Sequence, residues 1–97
     1  VFAEFKEGIK DIKSGSKLIL FTWLHQADRT VLSTRPRNNP NAPITGVFST
    51  RSPDRPNPIG IHFVMVASIL QDNTFQVAGL EVLDQTPIID IKPDMSR

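Results

Sequence analysis

The chain has 97 residues, of which 39% are hydrophobic and none is cysteine, and its formal net charge is +1. This length suits one small domain, and no apolar run approaches the roughly 20 residues that a membrane-spanning helix needs. The absence of cysteine excludes disulfides and thiolate chemistry, and with only two histidines we expect no metal site. The acidic start of the chain is unlike a signal peptide, so we expect a cytoplasmic protein.

The charges are unevenly distributed along the chain. Residues 29–60 contain one acid, Asp54, and most of the arginines: Arg29, Arg35, Arg37, Arg51 and Arg55. This third therefore carries about +4 and the remainder about −3, so an anionic partner is expected to bind the middle of the chain. The alternative is an ordinary solvated surface with a few ion pairs, which the scarcity of nearby acids disfavours.

The first predicted element is a short amphipathic helix at the N-terminus. Its apolar residues recur at intervals of three and four, at Phe2, Phe5, Ile9 and Ile12. We interpret this helix, which should end before Gly15, as a lid over the core. Residues 17–24 then form a nearly continuous apolar run that predicts a buried strand ending at His25.

The rest of the chain predicts short strands and turns. Strands are predicted at residues 30–34, 46–49, 59–70, 74–77 and 87–91. The stretch RPRNNPNAP predicts an exposed loop, and Asp72 and Asn73 predict the turn of a hairpin. About six strands without helical crossovers indicate a mostly β fold, a small antiparallel β-barrel-like domain with one short N-terminal helix and no second domain.

Residues 50–60, which we call the proline segment, read TRSPDRPNPIG and place three prolines within six positions. Each proline fixes its own φ and restricts the residue before it, so the segment is stiff and loses little entropy when a ligand binds. The simplest alternative is a rigid connection between two strands. Because arginines, an asparagine and an aspartate are interleaved with the prolines, we favour a binding site for polar and anionic groups.

A second polar stretch lies near the C-terminus. It contains Asp84, Gln85 and Thr86, and then Asp90 and Lys92, which alternate with isoleucines and so share one face of a strand. As simpler alternatives, Asp84 is a turn residue and the last two form an exposed ion pair, which contributes little to stability.

Neither histidine has a role that follows from the pattern alone. His25 either caps its strand or reaches into a pocket, and His62 faces away from Ile61 and Phe63 by strand alternation. The chain has no nucleophile elbow, phosphate-binding glycine loop or Rossmann fingerprint, so hydrolases, kinases and dinucleotide enzymes have no support.

The motifs GVFSTRSPDRPNPIG and LEVLDQTPIIDIKP together resemble the TsaA-like family, also called TrmO, of S-adenosylmethionine-dependent tRNA methyltransferases. The resemblance extends over nearly the whole chain. It implies a small β-barrel, a homodimer, and a methyl group placed on the exocyclic amine of threonylcarbamoyl-adenosine at position 37 of tRNA, in the anticodon loop.

The resemblance also implies a set of site residues. The residues that would contact S-adenosylmethionine are His25, Gln26, Arg51, Ile61, Asp84, Gln85 and Thr86. The chain departs from the family where Gln85 replaces a glycine, which could crowd a tight turn, and where Asp94 replaces a tyrosine. We take residues 1–97 as a single TsaA-like domain that lacks the N-terminal strand or strands usual in the family.

We assign the remaining roles as hypotheses. Asp90 is our candidate for the base that removes a proton from the carbamoylated amine. Arg35, Arg37 and Arg55 are our candidates for contacts with tRNA phosphates. A non-catalytic module of the same fold that binds S-adenosylmethionine or RNA is the alternative, as is methylation of another small substrate.

Overall fold

The computed structural model describes residues 1–95, and this part of the chain forms six strands and three short 3₁₀ helices. The strands are β1 (Lys17–Trp23), β2 (Ser33–Thr34), β3 (Thr45–Gly46), β4 (Ile59–Ile69), β5 (Phe75–Ala78) and β6 (Ile88–Pro93). The 3₁₀ helices are Ala3–Ile9, Pro36–Asn38 and Val47–Ser49.

One antiparallel sheet organises the domain, with the strand order β5-β4-β1-β6. The long strand β4 pairs with β1 from Lys17 opposite Met65 to Trp23 opposite Ile59. β2 and β3 form a separate two-stranded sheet. The two chain segments that contain the conspicuous motifs are therefore attached to neighbouring strands, because the proline segment enters β4 and residues 81–87 enter β6.

The predicted hairpin is confirmed. β4 and β5 pair in antiparallel fashion, and the turn between them holds Asp72 at φ 59° and Asn73 at φ 56°. Short polar side chains tolerate this left-handed conformation better than other non-glycine residues do, which explains why these residues occur at the turn.

The core lies on one face of the sheet. It consists of buried Leu18 and Leu20 from β1 and of Val64 and Val66 from β4. Partly buried residues complete it, namely Ile12, Phe75, Val77, Leu80 and Ile91. The alternation of buried and exposed positions along β4 follows directly from the two-residue period of a strand.

The opposite face of the sheet, which we call the outer face, is apolar but open to solvent. Along β4 it presents Ile59, Ile61, Phe63 and Met65, each between 38% and 48% exposed. Exposed apolar surface of this extent is typical of an interaction site rather than of a solvated surface.

The mostly β architecture with antiparallel pairing and one short N-terminal helix is confirmed, and three details differ. The sheet is open, since β5 and β6 are its two edges in the described residues. The N-terminal helix is 3₁₀ and buries none of its residues, so it is not the predicted lid, and Ile12 just beyond it makes the core contact. Residues 47–49, predicted as strand, form a 3₁₀ turn because the Thr50 N–H and hydroxyl both donate to Val47 O.

No helix within residues 1–95 has the length and apolar character needed to cross a bilayer.

Candidate functional site

A cleft of about 320 Å³ lies at the C-terminal end of β1, where the two motif-bearing segments meet. Three pieces of chain line it: Leu24, His25, Gln26 and Ala27 after β1, Pro53 and Asp54 of the proline segment, and Glu81, Val82, Leu83 and Thr86 before β6. We call residues 81–86 the turn segment. The cleft has mixed apolar and polar walls and is large enough for a small organic ligand.

The proline segment is tied to the end of β1 by hydrogen bonds between distant residues. The Leu24 N–H donates to Pro58 O at 2.8 Å, and the Asp28 N–H donates to Asp54 Oδ1 at 2.9 Å. Asp54 is thus held against the loop that follows β1. These hydrogen bonds fix the distance between the proline segment and the residues that follow β1.

Arg29 adds a further tie between the same two regions. Its Nε donates to Pro56 O at 2.8 Å, and its guanidinium lies 5.2 Å from the centre of the Trp23 ring. One side chain therefore joins β1 to the middle of the proline segment. This use of an arginine is structural, since both contacts are made within the chain.

Gly60 allows the proline segment to enter β4 beside a buried polar pair. Thr22 is fully buried, and its Oγ1 lies 2.8 Å from His62 Nε2. A Cβ atom at position 60 would lie 2.5 Å from that hydroxyl and 2.7 Å from that nitrogen. Only glycine fits here without displacing the Thr22–His62 bond.

The turn segment is held mainly by local bonds. The Thr86 N–H and hydroxyl both donate to Leu83 O, at 3.2 and 2.6 Å. Gln85 has φ 63°, and its N–H donates to the carboxylate of the preceding Asp84 at 3.0 Å. The Trp23 N–H donates to the oxygen of Pro87, the residue after the turn segment, at 2.9 Å, and this bond attaches the turn segment to β1. The residue that stands where the family usually has glycine is therefore in the conformation that glycine favours.

The structure divides the predicted cofactor residues into two groups. His25, Gln26 and Thr86 line the cleft, and Asp84 and Gln85 belong to the same turn segment without lining it.

The other two predicted cofactor residues lie away from the cleft. Ile61 is on the outer face, and the Arg51 guanidinium lies 5.9 Å from the centre of the Phe63 ring on that face. Strand alternation places Ile61 on the side opposite to the core.

Asp90, the predicted base, also lies away from the cleft. It is paired with Phe21 on β1, which is itself paired with Ile61, so the register places all three on the outer face. Its side chain is 57% exposed, and one oxygen lies 4.0 Å from Lys92 Nζ. The exposed ion pair anticipated from the sequence is present.

The three arginines assigned to RNA lie on or beside the β2–β3 region. Arg35 Nη1 donates to Ala42 O at 3.2 Å, and Arg37 is exposed at φ 58°. Arg55 is half-buried, and its Nη1 donates to the carbonyl oxygens of Thr50 and Ser52 at 2.9 and 3.2 Å. Arg55 therefore also stabilises the proline segment.

Several cleft residues were not assigned individually from the sequence. All of them belong to the two motifs, and this membership is the only sequence signal for their place in the cleft; they are Pro53, Asp54, Glu81, Val82 and Leu83. Arg29 had no such signal, because its partner Pro56 lies 27 residues away.

Two titratable groups near the site have shifted pKa values. Hydrogen bonds from the Thr30 hydroxyl and N–H lower the pKa of Asp28. Burial lowers the pKa of His62, because removal from water disfavours the charged imidazolium. Within residues 1–95, histidines and acids form no group of three or more that could hold a metal ion.

Comparison with known proteins gives consistent matches. The family described as tRNA-methyltransferase O N-terminal domain matches residues 1–97. The chain is 42% identical over 96 residues to a probable S-adenosyl-L-methionine-binding protein of Methanocaldococcus jannaschii, covering 95% of this chain and 75% of that protein. It is 45% identical over 94 residues to one of Archaeoglobus fulgidus, covering 96% of this chain and 25% of that protein.

Among solved structures, the fold is similar to the crystal structure of TrmO from P. aeruginosa. The TM-score is 0.69 at 29% sequence identity, and the match covers 98% of this chain and 38% of that one. The chain thus spans a quarter of the A. fulgidus relative and less than half of this TrmO chain.

Proposed function

Because the chain belongs to the tRNA-methyltransferase O N-terminal domain family, we propose that it binds S-adenosylmethionine and directs its methyl group to tRNA. Relatives named as S-adenosyl-L-methionine-binding proteins support the cofactor, and the likeness to TrmO supports the reaction. The two long motifs, through their resemblance to the family, support a specific substrate: the exocyclic amine of threonylcarbamoyl-adenosine at position 37 of tRNA. A cytoplasmic location, where tRNA is found, belongs to the same proposal.

The cleft between the proline segment and the turn segment is the observation that carries this proposal. Leu24 and Leu83 provide apolar surface of the kind that an adenosine moiety needs, and His25, Gln26 and Thr86 provide polar groups. The residues present therefore fit S-adenosylmethionine.

The cofactor proposal is tested by calorimetric titration with S-adenosylmethionine. Gln26→Ala is expected to weaken binding by about three- to tenfold, which is the usual effect of one lost hydrogen bond. Gln71→Ala is the matched control, because Gln71 is exposed in the loop after β4. Equal affinities for wild type and Gln26→Ala would remove the cleft as the cofactor site.

The chemistry proposed for this chain is mainly positioning. S-adenosylmethionine supplies an electrophilic methyl group, and a rate gain arises when the attacking nitrogen is held in line with it. Asp90 remains our proposal for the base that takes the proton from the carbamoylated amine. Asp90 lies on the outer face, as Ile61 does, so this role requires the outer face to contribute to the active site.

Asp90→Asn tests this role. It should lower turnover while leaving cofactor affinity intact, and Asp72→Asn in the β4–β5 turn is its control. Unchanged turnover would remove Asp90 from the mechanism.

We propose that a second copy of the chain covers the outer face. The exposed apolar residues along β4 are the support, because such a surface is stable in water only when small or covered. Phe63→Glu should convert a dimer into a monomer in light-scattering measurements, while Phe5→Glu in the N-terminal helix should not. A wild-type protein that is monomeric throughout would refute this part.

Contacts to tRNA phosphates are proposed for Arg35, Arg37 and Arg55. Each contact that is lost should weaken binding and reduce the slope of log affinity against log salt by about one or less. Arg37→Ala is the cleanest variant, because Arg35 and Arg55 also bond to backbone carbonyls. Lys6→Ala, in the N-terminal helix, is the control. A slope indifferent to all three arginine substitutions would defeat the assignment.

A non-catalytic module of the same fold is the second candidate, favoured by the strained Gln85 and by the position of Asp90 outside the cleft. One assay distinguishes the two. Labelled S-adenosylmethionine is incubated with tRNA that carries or lacks the threonylcarbamoyl group. Label in the modified nucleoside supports the methyltransferase, and cofactor binding without transfer supports the module.

A further inference from the structure

An exposed aromatic ring lies in the most basic part of the chain. Phe48, in the 3₁₀ helix Val47–Ser49, is 73% exposed, although its neighbour Val47 is buried. Burial of Val47 fixes the turn, so the ring next to it is directed away from the interior. Stability of the isolated domain offers no reason for a large apolar side chain at this position.

The ring is held in place by a fixed cation. The guanidinium carbon of Arg55 lies 5.7 Å from the centre of the Phe48 ring. The carbonyl oxygens of Thr50 and Ser52 both accept hydrogen bonds from Arg55 Nη1, so this cation is anchored to the proline segment. A ring whose neighbour is already ordered loses little entropy when a partner stacks on it.

The stretch of chain around the ring contains exposed apolar side chains and an excess of positive charge. Leu32 and Ile44 are exposed at the ends of the β2–β3 ribbon, and the Val47 N–H donates to Leu32 O at 3.0 Å. Residues 29–60 contain five arginines and one acid, Asp54, which already accepts the Asp28 N–H. Positive charge beside an exposed aromatic ring is the combination with which proteins bind single-stranded nucleic acid.

We propose that Phe48 stacks on an unpaired base of the RNA, while Arg55 keeps the ring in place and Arg35 and Arg37 contact phosphates. This inference rests on the proposed function, since it names the part of the tRNA that the surface contacts: a single-stranded loop rather than a paired stem. The excess of arginines over acids in residues 29–60 favours a polyanion over a protein or an apolar partner.

The test compares the affinity of two RNA probes for wild type and Phe48→Leu. One is a hairpin with the size and loop of an anticodon arm, and the other is a fully paired duplex of the same length. Phe48→Leu keeps an apolar side chain but removes the aromatic face, so it should weaken hairpin binding about tenfold and leave duplex binding and the salt slope unchanged. Phe48→Tyr should restore hairpin binding, and Phe5→Leu is the matched control for an exposed ring elsewhere.

Each result separates this inference from the proposed function. Hairpin affinity of Phe48→Leu within twofold of wild type, or equal losses for hairpin and duplex, would overturn the stacking role while methyl transfer stands. Selective loss of hairpin binding in a protein that transfers no methyl group would support the stacking role and refute the enzyme. A wild type that binds neither probe would overturn both the stacking role and the tRNA substrate. Thermal unfolding of Phe48→Tyr and Phe48→Leu is expected to match wild type, since the ring is exposed.

Discussion

The two walls of the cleft are built in different ways. The proline segment is tied to the end of β1 by bonds between residues 26 and 27 positions apart, from the Asp28 N–H to Asp54 and from Arg29 to Pro56. The turn segment depends on bonds within four residues, such as those from Thr86 to Leu83. One wall is therefore part of the tertiary structure, and the other is a local turn attached to it.

This difference indicates how the cleft can bind a ligand. A wall that is stiffened by three prolines and by long-range bonds is preorganised, so it contributes affinity without ordering costs. A wall that contains a left-handed Gln85 stores strain and is the part more easily rearranged. Changes to the proline segment should accordingly cost stability, whereas changes to the turn segment can raise it.

The largest effect is expected for Gly60→Ala, at the junction of the proline segment and β4. The new Cβ would lie 2.5 Å from the Thr22 hydroxyl, and Thr22 is fully buried and cannot move aside. We expect the free energy of unfolding to fall by about 2–3 kcal/mol, as for overpacking combined with a damaged buried hydrogen bond. Chemical denaturation measures this loss.

Gly46→Ala is the control for this substitution. Gly46 has φ −60°, and nothing lies within 4 Å of a Cβ added there. The change should be neutral or should stabilise the protein by up to about 1 kcal/mol. If both variants lost equal stability, the crowding at Gly60 would not explain the result.

The next effect concerns Arg29→Ala, which removes the hydrogen bond to Pro56 O and the contact with Trp23. Because Arg29 is exposed, we expect a loss of only about 1 kcal/mol. Arg51→Ala is the matched control, since Arg51 contacts the Phe63 ring without a hydrogen bond to the backbone in the described part of the chain. Equal losses in the two variants would mean that the bond to Pro56 does not stabilise the proline segment.

Elements that depend on local patterns could be predicted from the sequence, whereas the closure of the sheet could not. The period of β4, the apolar run of β1 and the turn residues Asp72 and Asn73 are local signals, and the structure confirms the elements that they predicted. The open sheet was not predictable in the same way, because closure depends on whether the edge strands β5 and β6 meet.

The position of the candidate site could be predicted from the sequence, but the residues that line it could not all be identified. The two motifs located both walls of the cleft, but the resemblance could not separate cleft residues such as Gln26 from outer-face residues such as Ile61. Strand alternation fixes which residues share a face but not which face is covered. The role of Arg29 depends on a tertiary contact that no spacing in the sequence encodes.

A smaller effect, of opposite sign, is expected for the turn segment. Gln85→Gly should raise the free energy of unfolding by about 0.5–1 kcal/mol, because glycine adopts φ 63° without steric cost, although its greater freedom in the unfolded chain offsets part of the gain. For a domain of this size that gain corresponds to a rise in Tm of roughly 2–8 °C. Gln71→Gly, at a position without positive φ, should lower Tm slightly. A fall in Tm for both variants would show that the turn segment is not strained.

The smallest effect is the pH dependence of the free energy of unfolding that arises from His62, which lies in β4 beside the end of the proline segment. Burial lowers the pKa of His62 in the folded protein below its ordinary value of about 6.5. Between the lowered pKa and about pH 6.5, the unfolded state therefore binds more protons than the folded state. The contribution of His62 to stability is complete above about pH 6.5 and is lost as the pH falls through the pKa of the folded protein. The slope cannot exceed about 1.4 kcal/mol per pH unit for one group. Denaturation between pH 7.5 and 5 should show this loss of stability in wild type and in the control His25→Gln. In His62→Gln the free energy of unfolding should depend less on pH. An unchanged slope in His62→Gln would assign the pH dependence to other groups.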